Sequence, residues 1–471
     1  MAAITDARVV GVLDIGKTNA KFALVDVTNR TEIESRRVPN LVRSDGPYPH
    51  FGIETIWEFI CDSIVELGRQ EEIDAFSVTA HGAAAALIDA EGRLALPVLD
   101  WEFTGPDEFR ADYDAVRPDF SESFTPRLPA GLNLGAQLYW QARRFPEEFA
   151  RTHRVLTYPQ YWSFRLSGVA AGEITSLGCH TDLWNYETDL YSSLVIREGW
   201  LDKMPEVRSA SSVLGVVQPA IAQRLGLAHA APVYCGIRDS SASLLPHLLD
   251  HRGPFAVVST GTWVTAAAPD ADLASLDPSR NCMADIDAFG HHLASSRFMG
   301  GREYARLVPE EVPRPSEAAI ARVLSQPVML LPSVIPGTGP FPNRKARWTV
   351  PPETLSRETI AVAAAFYLAM MTTECLTLAG ADGDISVEGP FANNALFLEM
   401  LAAAVARPVF AMRSGGPGTS IGAALLTILP DAAPSPRGTP IAPREHAVAA
   451  MVHYADAWRQ AVRRDKGVAA G

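Results

Sequence analysis

Two runs of apolar residues near the start of the chain predict a β-hairpin. The runs RVVGVLDI and AKFALVDV lie within Arg8–Val27, and the polar turn Gly16–Asn19 separates them. The segment Phe255–Pro269 repeats this plan, with a Thr-Gly-Thr turn between two apolar runs. Apolar runs of this length joined by Gly, Thr and Asn are typical of paired strands. Two such hairpins, about half a chain apart, predict two domains of related fold with a cleft between them.

The segments around the second hairpin alternate between predicted strands and helices. Pro232–Leu249 predicts a strand, a Gly-Ile-Arg-Asp turn and a helix, and we place the domain boundary near its end, giving domains 1–246 and 247–471. Asp384–Gly389 predicts a strand, which is followed by a loop and a helix. The Gly-rich run Ser414–Gly418 leads into another helix and is a candidate nucleotide loop. This pattern predicts an α/β fold whose functional loops lie at the carboxyl ends of strands.

Two longer segments predict helices of different kinds. Ile360–Gly380 is the most apolar long stretch, but it is rich in Ala and contains Thr and Glu374, which favours a buried, tightly packed helix over a membrane span. The segment His446–Asp465 has apolar residues at helical spacing. It therefore predicts an amphipathic helix at the end of the second domain.

The first hairpin also fits the phosphate-loop pattern G-x-x-x-x-G-K-[ST] through Gly11–Thr18. A P-loop needs a flexible loop at the x positions and a helix directly after it, whereas Val12–Ile15 resemble a buried strand and another strand follows. We therefore interpret the match as accidental. Turn amides and Lys17 or Lys21 can still bind phosphate. Asp14, at the end of a strand, suits a Mg²⁺ ion held through water.

Composition narrows the classes of partner. The chain has 471 residues, with 41 basic and 54 acidic side chains and a net charge of −13, which argues against a nucleic-acid or anionic-membrane partner. Its five cysteines are widely spaced and form no C-x-x-C pair, which indicates a reduced, cytoplasmic protein without a zinc site. The N-terminal residues show no signal-peptide pattern. The oligomeric state is left open, with a homodimer as one alternative.

Five longer motifs follow one another along the chain: LDIGKTNAKFALVD, VTAHGAAAALID, GIRDSSAS, STGTW and VEGPFANNALFLEMLAAAVARPVFA. In this order they resemble the FGGY carbohydrate kinases of the actin, hexokinase and Hsp70 ATPase superfamily, and STGTW and HTDLW are most similar to rhamnulokinase and L-fuculokinase. The resemblance covers nearly the whole chain and implies two ribonuclease-H-like domains of the actin type, with ATP and Mg²⁺ as cofactors and a small sugar as substrate.

The resemblance assigns a general base and the residues that bind nucleotide. Asp239 starts a predicted helix, so the spacing alone fits a helix N-cap as well as a base, and the resemblance favours the base. Phosphate contacts are implied for both hairpin turns, and the loop from Glu388 departs from the usual Gly-Gly-Gly-x-x-x-Asn. The predicted nucleotide-binding residues are Gly16, Lys17, Thr18, Lys21, Thr260, Gly261, Thr262, Gly389 and Asn393.

The sugar site is predicted from polar and aromatic residue types after the strand that ends near residue 80. A lone His is often a structural residue, but the family places the matching His-Gly at the sugar. The predicted sugar contacts are His81, Gly82, Asp100, Trp101, Glu102, Arg238 and Asp239. A ketose such as L-rhamnulose or L-fuculose is the expected substrate; a ketopentose or polyol is the alternative. A non-catalytic sugar sensor on the same fold is the alternative from another class.

Overall fold

The computed structural model divides the chain into two compact units. The first unit comprises Met1–Asp250, Ala284–His291 and Ser414–Ser435, and the second comprises the remainder. The predicted boundary after residue 246 lies close to the break at 250, but the two later segments, which we assigned to the second domain, belong to the first unit. The structure describes residues 8–69, 72–309, 315–412, 418–429 and 438–465. The Gly-rich run predicted as a nucleotide loop lies outside the described residues, except for its last residue.

The elements up to residue 250 belong to the first unit. The strands are β1 (Val9–Ile15), β2 (Asn19–Asp26), β3 (Thr31–Pro39), β4 (Val42–Arg43), β5 (His50–Phe51), β6 (Ala75–Ala80), β7 (Ala85–Ile88), β8 (Arg154–Thr157), β9 (Gly172–Glu173), β10 (Trp184–Asn185), β11 (Leu190–Tyr191), β12 (Val207–Arg208), β13 (Val213–Val216), β14 (Pro232–Tyr234) and β15 (Ile237–Arg238). The helices are α1 (Ile53–Leu67), α2 (Arg110–Val116), α3 (Phe120–Ser123), α4 (Leu134–Arg144), α5 (Pro146–Ala150), α6 (Tyr158–Ser167), α7 (Ile174–Leu177), α8 (Ser193–Arg197), α9 (Pro219–Leu225) and α10 (Asp239–Asp250).

The elements after residue 250 lie mainly in the second unit. The strands are β16 (Phe255–Thr260), β17 (Val264–Pro269), β18 (Cys282–Ile286), β19 (His292–Phe298), β20 (Leu330–Leu331), β21 (Arg347–Trp348), β22 (Asp384–Glu388) and β23 (Val409–Ala411). The helices are α11 (Gly300–Leu307), α12 (Glu317–Ser325), α13 (Arg357–Leu378), α14 (Ala395–Val405), α15 (Gly418–Leu425) and α16 (Val448–Arg464). Helix α15 belongs to the first unit.

The two main sheets share one topology. In the first unit β1, β2 and β3 form an antiparallel meander, and β6 and β14 extend it in parallel from β1. In the second unit β16, β17 and β19 form the meander, and β22 and β23 extend it in parallel from β16. The prediction of two related domains, each opening with a hairpin, is confirmed.

The hairpin of β1 and β2 also shows whether Gly11–Thr18 forms a P-loop. Strand β1 continues to Ile15 and β2 begins at Asn19, so a strand stands where a P-loop requires a helix. The match to the phosphate-loop pattern is therefore accidental, as predicted.

Both faces of the first sheet are covered because side chains alternate along its strands. Leu13 and Ile15 of β1 join the apolar cluster with α1 and α6, whereas Val10 and Val12 join the cluster on the opposite face. That second face is covered by α10 and by α15, which returns from late in the chain. Helix α15 therefore supplies part of the core that supports the carboxyl ends of the first sheet.

Helices α10 and α15 cross so closely that one position accepts only Gly. A Cβ atom built on Gly422 would lie 1.8 Å from the carbonyl oxygen of Ala242. Small residues allow two helix backbones to approach each other, and any side chain here pushes the helices apart. The helix after the Gly-rich run was predicted, but its crossing partner was not visible in the sequence.

Replacing Gly422 by Ala is expected to lower the free energy of unfolding by about 1–2 kcal/mol, because an overpacking cost of up to about 3 kcal/mol outweighs the roughly 1 kcal/mol by which Ala favours a helix. Urea unfolding followed by circular dichroism measures the effect. Gly253→Ala is the control, since its Cβ would meet no atom within 4 Å. If both variants unfold at the wild-type urea concentration, the crossing is not as tight as described.

The long apolar helix α13 lies in the core of the second unit. It is long and apolar enough to cross a membrane by composition, but 89% of its apolar window is buried within the protein. The burial of this segment, predicted from its Ala, Thr and Glu content, is confirmed. Helix α16 packs its apolar side, including Met451, Tyr454 and Trp458, into the same core.

Candidate active site

The polar residues predicted from the first domain gather at one edge of its sheet. Strands β1, β6 and β15 run parallel, and the register pairs both Asp14 and Ile237 with Thr79, from opposite sides of β6. His81 directly follows β6, and Asp239 directly follows β15. Because parallel strands end at the same edge, Asp14, His81 and Asp239 share the carboxyl end of the sheet, where α/β folds place their ligand sites.

Asp239 is held at the first residue of α10. Its Oδ1 accepts hydrogen bonds from the amide of Ser240, at 2.7 Å, and from the Ser240 hydroxyl, at 3.3 Å. Burial of its surroundings raises the pKa of Asp239; the charge of Arg238 opposes this and that of Asp14 adds to it. The carboxylate therefore satisfies one amide in the first turn of α10 and keeps an elevated proton affinity, and its role as the general base stays a prediction.

Arg238, predicted to bind substrate, is engaged in a buried ion pair. Its Nη1 lies 2.6 Å from Oδ1 of Asp285, and its amide donates to Oγ1 of Thr175. Its side chain lies so close to Gly82 that a Cβ there would be 2.8 Å from Cδ of Arg238. Arg238 and Gly82 thus form the buried floor beside His81, and their contact with a substrate stays a prediction.

Asp14 stands in a small charged cluster of the first unit. Its Oδ2 lies 3.6 Å from Nζ of Lys21, which also lies 2.9 Å from Oε2 of Glu32, and it accepts a hydrogen bond of 3.0 Å from the Ser420 hydroxyl. Burial raises the pKa of Asp14, and the Lys21 charge opposes this rise. Lys21, predicted to contact phosphate, is thus paired with two carboxylates in this structure.

The turn between β1 and β2 is fixed by a residue that the sequence did not single out. Asn40 donates its side-chain amide to the Gly16 carbonyl and its backbone amide to the Thr18 carbonyl, both at 2.8 Å. Thr18 is exposed on the turn. The Asn that follows β3 has no local signal in the sequence, because its partners lie more than 20 residues away. Phosphate contacts of Gly16 and Thr18 stay predictions.

Lys17 lies with the predicted sugar residues, although we had grouped it with phosphate. Its Nζ contacts Oδ1 of Asp100 and lies 3.3 Å from Oε2 of Glu102. The same atom lies 5.1 Å from the ring centroid of Phe51 and 5.3 Å from that of Trp101. The structure therefore brings Lys17, Asp100, Trp101 and Glu102 together as one group. Phe51 is an additional member that the sequence analysis missed.

His81 is a buried imidazole without a hydrogen-bond partner among the described residues. It is 7% exposed, and neither ring nitrogen is satisfied. Its ring centroid lies 5.3 Å from that of Phe51 and 4.9 Å from that of Tyr158. Burial, followed by the Lys17 charge, lowers the pKa of His81 to about 3, so the ring is neutral at physiological pH. Buried polar groups are rarely left unpaired, and such a group indicates a ligand or water.

Gln137 joins the two loops that carry these residues. Its Nε2 donates to the carbonyls of Ala83 and Gly131, and the Gly131 amide donates to the Trp101 carbonyl at 2.9 Å. Gln137 therefore fixes the Trp101 loop relative to the loop that follows His81. The sequence analysis did not identify this role, because Ala83, one of the two partners of Gln137, lies 54 residues away.

In the second unit, the turn after β16 is packed against the loop after β22. The Thr260 hydroxyl donates to the Glu388 carbonyl and accepts from the Phe391 amide, at 3.1 Å. Gly389 has φ of 82°, and its Cβ would lie 2.0 Å from the Thr260 carbonyl oxygen. The structure thus brings Thr260 and Gly389 together and uses the Thr260 hydroxyl to connect the two loops, and their contacts with a nucleotide stay predictions.

A second glycine contact adds α11 to this turn. A Cβ on Gly301 would lie 2.1 Å from the Gly261 carbonyl oxygen. The helix N-terminus at Gly300 thereby lies beside the turn that contains Thr262, which is exposed. Helix N-termini and exposed turn amides favour anions. The sequence analysis missed this Gly-Gly pair, which follows the end of β19 after one residue, Met299.

A cavity of 690 Å³ lies next to these loops in the second unit. Its volume is in the range of small-molecule sites. Asn393, a predicted nucleotide contact, is among its lining residues, and the rings of Tyr304 and Phe391 meet edge to face with centroids 5.2 Å apart. The lining residues are Tyr304, Pro315, Ile320, Ala361, Ala365, Pro390, Phe391, Asn393, Asn394, Ala395, Leu396 and Arg444.

The fold defines a protein of two compact units whose main sheets share one topology. Residues 9–246 match the N-terminal domain of the FGGY family of carbohydrate kinases, and residues 252–436 match the C-terminal domain, described as carbohydrate kinase FGGY. The chain belongs to the FGGY family of carbohydrate kinases, and the predicted family is confirmed.

Similar proteins extend this finding. The crystal structure of a carbohydrate kinase from Novosphingobium aromaticivorans superposes with a TM-score of 0.89 at 30% identity and covers 98% of this chain and 99% of that one. The L-fuculokinase of Escherichia coli (strain K12) is 25% identical over 300 residues, 60% of this chain and 61% of the relative. A probable L-xylulose kinase of Pasteurella multocida (strain Pm70) is 24% identical over 315 residues, 62% of this chain and 63% of the relative. The match therefore spans about three fifths of these curated relatives.

Proposed function

We propose that this protein is an ATP-dependent kinase that phosphorylates one hydroxyl of a ketose. The observation that carries the proposal is the meeting of Asp239 and Asp14 with unpaired His81 at one sheet edge. A carboxylate with raised pKa can accept a hydroxyl proton, and polar groups nearby can hold the acceptor sugar. Family membership supports this reaction class.

Each group has a defined part in the proposed reaction. The substrate hydroxyl oxygen bonds to the γ-phosphorus as the bond between that phosphorus and the ADP oxygen breaks, and Asp239 takes the hydroxyl proton. Phosphoryl transfer depends mainly on positioning and on neutralising phosphate charge. The turn Thr260–Thr262, Gly389 and the N-terminus of α11 supply backbone groups for phosphate. The cavity beside Asn393 has the size and apolar lining for the nucleotide base.

Asp14 suits a Mg²⁺ ion that is held chiefly by nucleotide phosphates. The described residues contain no group of three acidic, His or Cys side chains that would form an all-protein metal site. Mg²⁺ commonly uses one or two carboxylates with water and phosphate oxygens, so one carboxylate at the strand end is enough. When bound, Mg²⁺ offsets charge on the transferring phosphoryl group. Asp14 is partly buried, and its carboxylate lies 3.6 Å from Nζ of Lys21, so it already has one cationic partner.

The relatives narrow the substrate only to a class. One is an L-fuculokinase and one a probable L-xylulose kinase, and we propose a ketose such as L-fuculose or L-rhamnulose, with ketopentoses as the alternative. The presence of both Asp239 and Asp14 favours an enzyme over a non-catalytic sensor. All five cysteines are buried and unpaired, which supports a reduced, cytoplasmic setting.

The test is an assay of ADP release with MgATP over a panel of ketoses, aldoses and polyols, with the phosphorylated product identified by mass spectrometry. We expect one ketose to give strong turnover and a product heavier by one phosphoryl group. ADP release that does not depend on any sugar would contradict the proposal, because a kinase transfers the phosphoryl group to its acceptor.

A further inference from the structure

We propose that Lys17, Asp100 and Glu102 form a charged acceptor-site cluster that selects a neutral polyhydroxy substrate and disfavours a sugar acid. This inference rests on the proposed kinase function and concerns the same site. It assigns Lys17 to sugar selection, although its position in a Gly-Lys-Thr turn first indicated phosphate.

The Lys17 ammonium is held in the cluster by four neighbouring groups. It contacts Asp100, lies 3.3 Å from Glu102, and faces the rings of Phe51 and Trp101 at 5.1 and 5.3 Å. Two carboxylates and two aromatic faces thus hold the cation. To bind a nucleotide phosphate it would have to leave all four. Lys17 therefore acts on whatever occupies this cluster.

The second step is the charge of the cluster. Lys17 carries one positive charge, Asp100 and Glu102 carry two negative charges, and His81 is neutral, so the group has a net negative charge. A carboxylate of a sugar acid would meet like charge and would have to compete with Asp100 and Glu102 for Lys17. Hydroxyls of a neutral substrate can donate to both carboxylates and accept from the ammonium without this repulsion.

His81 and Glu102 are the groups that can form hydrogen bonds with a bound substrate. His81 is 7% exposed with two unsatisfied ring nitrogens, and it shares the Phe51 ring with Lys17. A neutral imidazole offers one donor and one acceptor, which matches a hydroxyl that both accepts and donates. The Glu102 side chain is 50% exposed, unlike that of Asp100, so Glu102 is the member that can give way to a substrate hydroxyl.

Lys17→Gln tests the assignment in two separate measurements. We expect the affinity for MgADP without sugar, measured by isothermal titration calorimetry, to stay within about twofold of wild type, and KM for the accepted ketose to rise about tenfold, because a charge-assisted hydrogen bond is lost. Lys203→Gln is the matched control, since its ammonium also faces a ring, that of Phe149 at 5.8 Å, outside the site. A tenfold loss of MgADP affinity in Lys17→Gln with unchanged sugar KM would overturn the proposal.

Gluconate, assayed together with the neutral sugars and polyols, tests whether the cluster disfavours a negatively charged substrate. We expect kcat/KM of the wild type for gluconate to be about 10²-fold below that for the best neutral ketose, because like charges oppose each other in the site. Equal or better turnover of gluconate would overturn the selection while leaving the kinase function intact. If no compound is phosphorylated, the proposed kinase function is wrong. Sugar-induced shifts in Tm, measured without nucleotide, then test whether the cluster binds a sugar. A shift by a neutral sugar that Lys17→Gln abolishes supports it, and no shift by any sugar overturns it.

Discussion

Replacing Asp239 by Asn is expected to lower kcat about 10³-fold while the affinity for MgADP stays within about twofold, because the amide cannot accept the proton of the substrate hydroxyl. The expected loss is specific to chemistry, since Asn caps a helix N-terminus about as well as Asp. The hydrogen bond from the Ser240 amide is therefore retained, and α10 keeps its start. Steady-state kinetics with the ketose found by the panel, together with calorimetry of MgADP, measure both quantities.

A control at a second helix start distinguishes the two roles of Asp239, general base and helix cap. Asp272 is an exposed carboxylate that accepts a hydrogen bond of 2.9 Å from the Ala274 amide at the start of a short helix. Asp272→Asn should leave kcat unchanged. A kcat within tenfold of wild type in Asp239→Asn would show that Asp239 is only a cap, and an equal fall in MgADP affinity would show that it holds the nucleotide.

The strands and hairpins were predictable because their signal is local. In β1, consecutive residues such as Val12 and Leu13 face opposite apolar clusters, so a strand buried on both faces is visible in the sequence as a continuous apolar run. The same holds for the buried helix α13, whose composition indicated packing within the protein. The repeated hairpin then predicted the shared topology, because the same local pattern recurs with the same order of elements after it.

Long-range partners were not predictable in this way. Lys17 and Lys21 are both polar residues near one turn, yet Lys17 contacts Asp100 and Lys21 pairs with Glu32. The partner of Lys17 lies 83 residues away, and the partner of Lys21 lies on the neighbouring strand β3, so the pairing depends on how the chain folds back on this turn. Helix α15 shows the same limit, because the close approach of Gly422 to Ala242 of α10 joins residues that are far apart in the sequence.

The sequence analysis identified only part of the site, for a related reason. Residue types with a chemical signature, such as Asp239 and the His81-Gly82 pair, stand at strand ends and were visible. Supporting residues such as Asn40 and Gln137 act by hydrogen bonds to distant carbonyls, which ordinary polar residues can do anywhere. Such residues become recognisable only when the fold has brought their partners together.

Replacing Asp14 by Asn is expected to lower kcat about 10²-fold at saturating MgATP and to raise the Mg²⁺ concentration needed for half-maximal activity, because a carboxylate near the metal and phosphates is lost. The fold should persist, since the Asn oxygen can still accept from Ser420 and Lys21 keeps Glu32. Mg²⁺ titrations of initial rate at fixed total ATP provide the measurement. Asp26→Asn, at the far end of the same hairpin, is the control with expected wild-type kinetics.

The same variant has a second, independent consequence for pH dependence. A general base acts when ionised, so activity is lost as pH falls through its pKa. The Asp14 charge raises the pKa of Asp239, and its removal should lower that pKa. The acid limb of kcat/KM should therefore move to lower pH in Asp14→Asn. An acid limb that stays in place would show that the Asp14 charge does not affect the pKa of Asp239. A shift to higher pH would contradict the assignment of Asp239 as the titrating base.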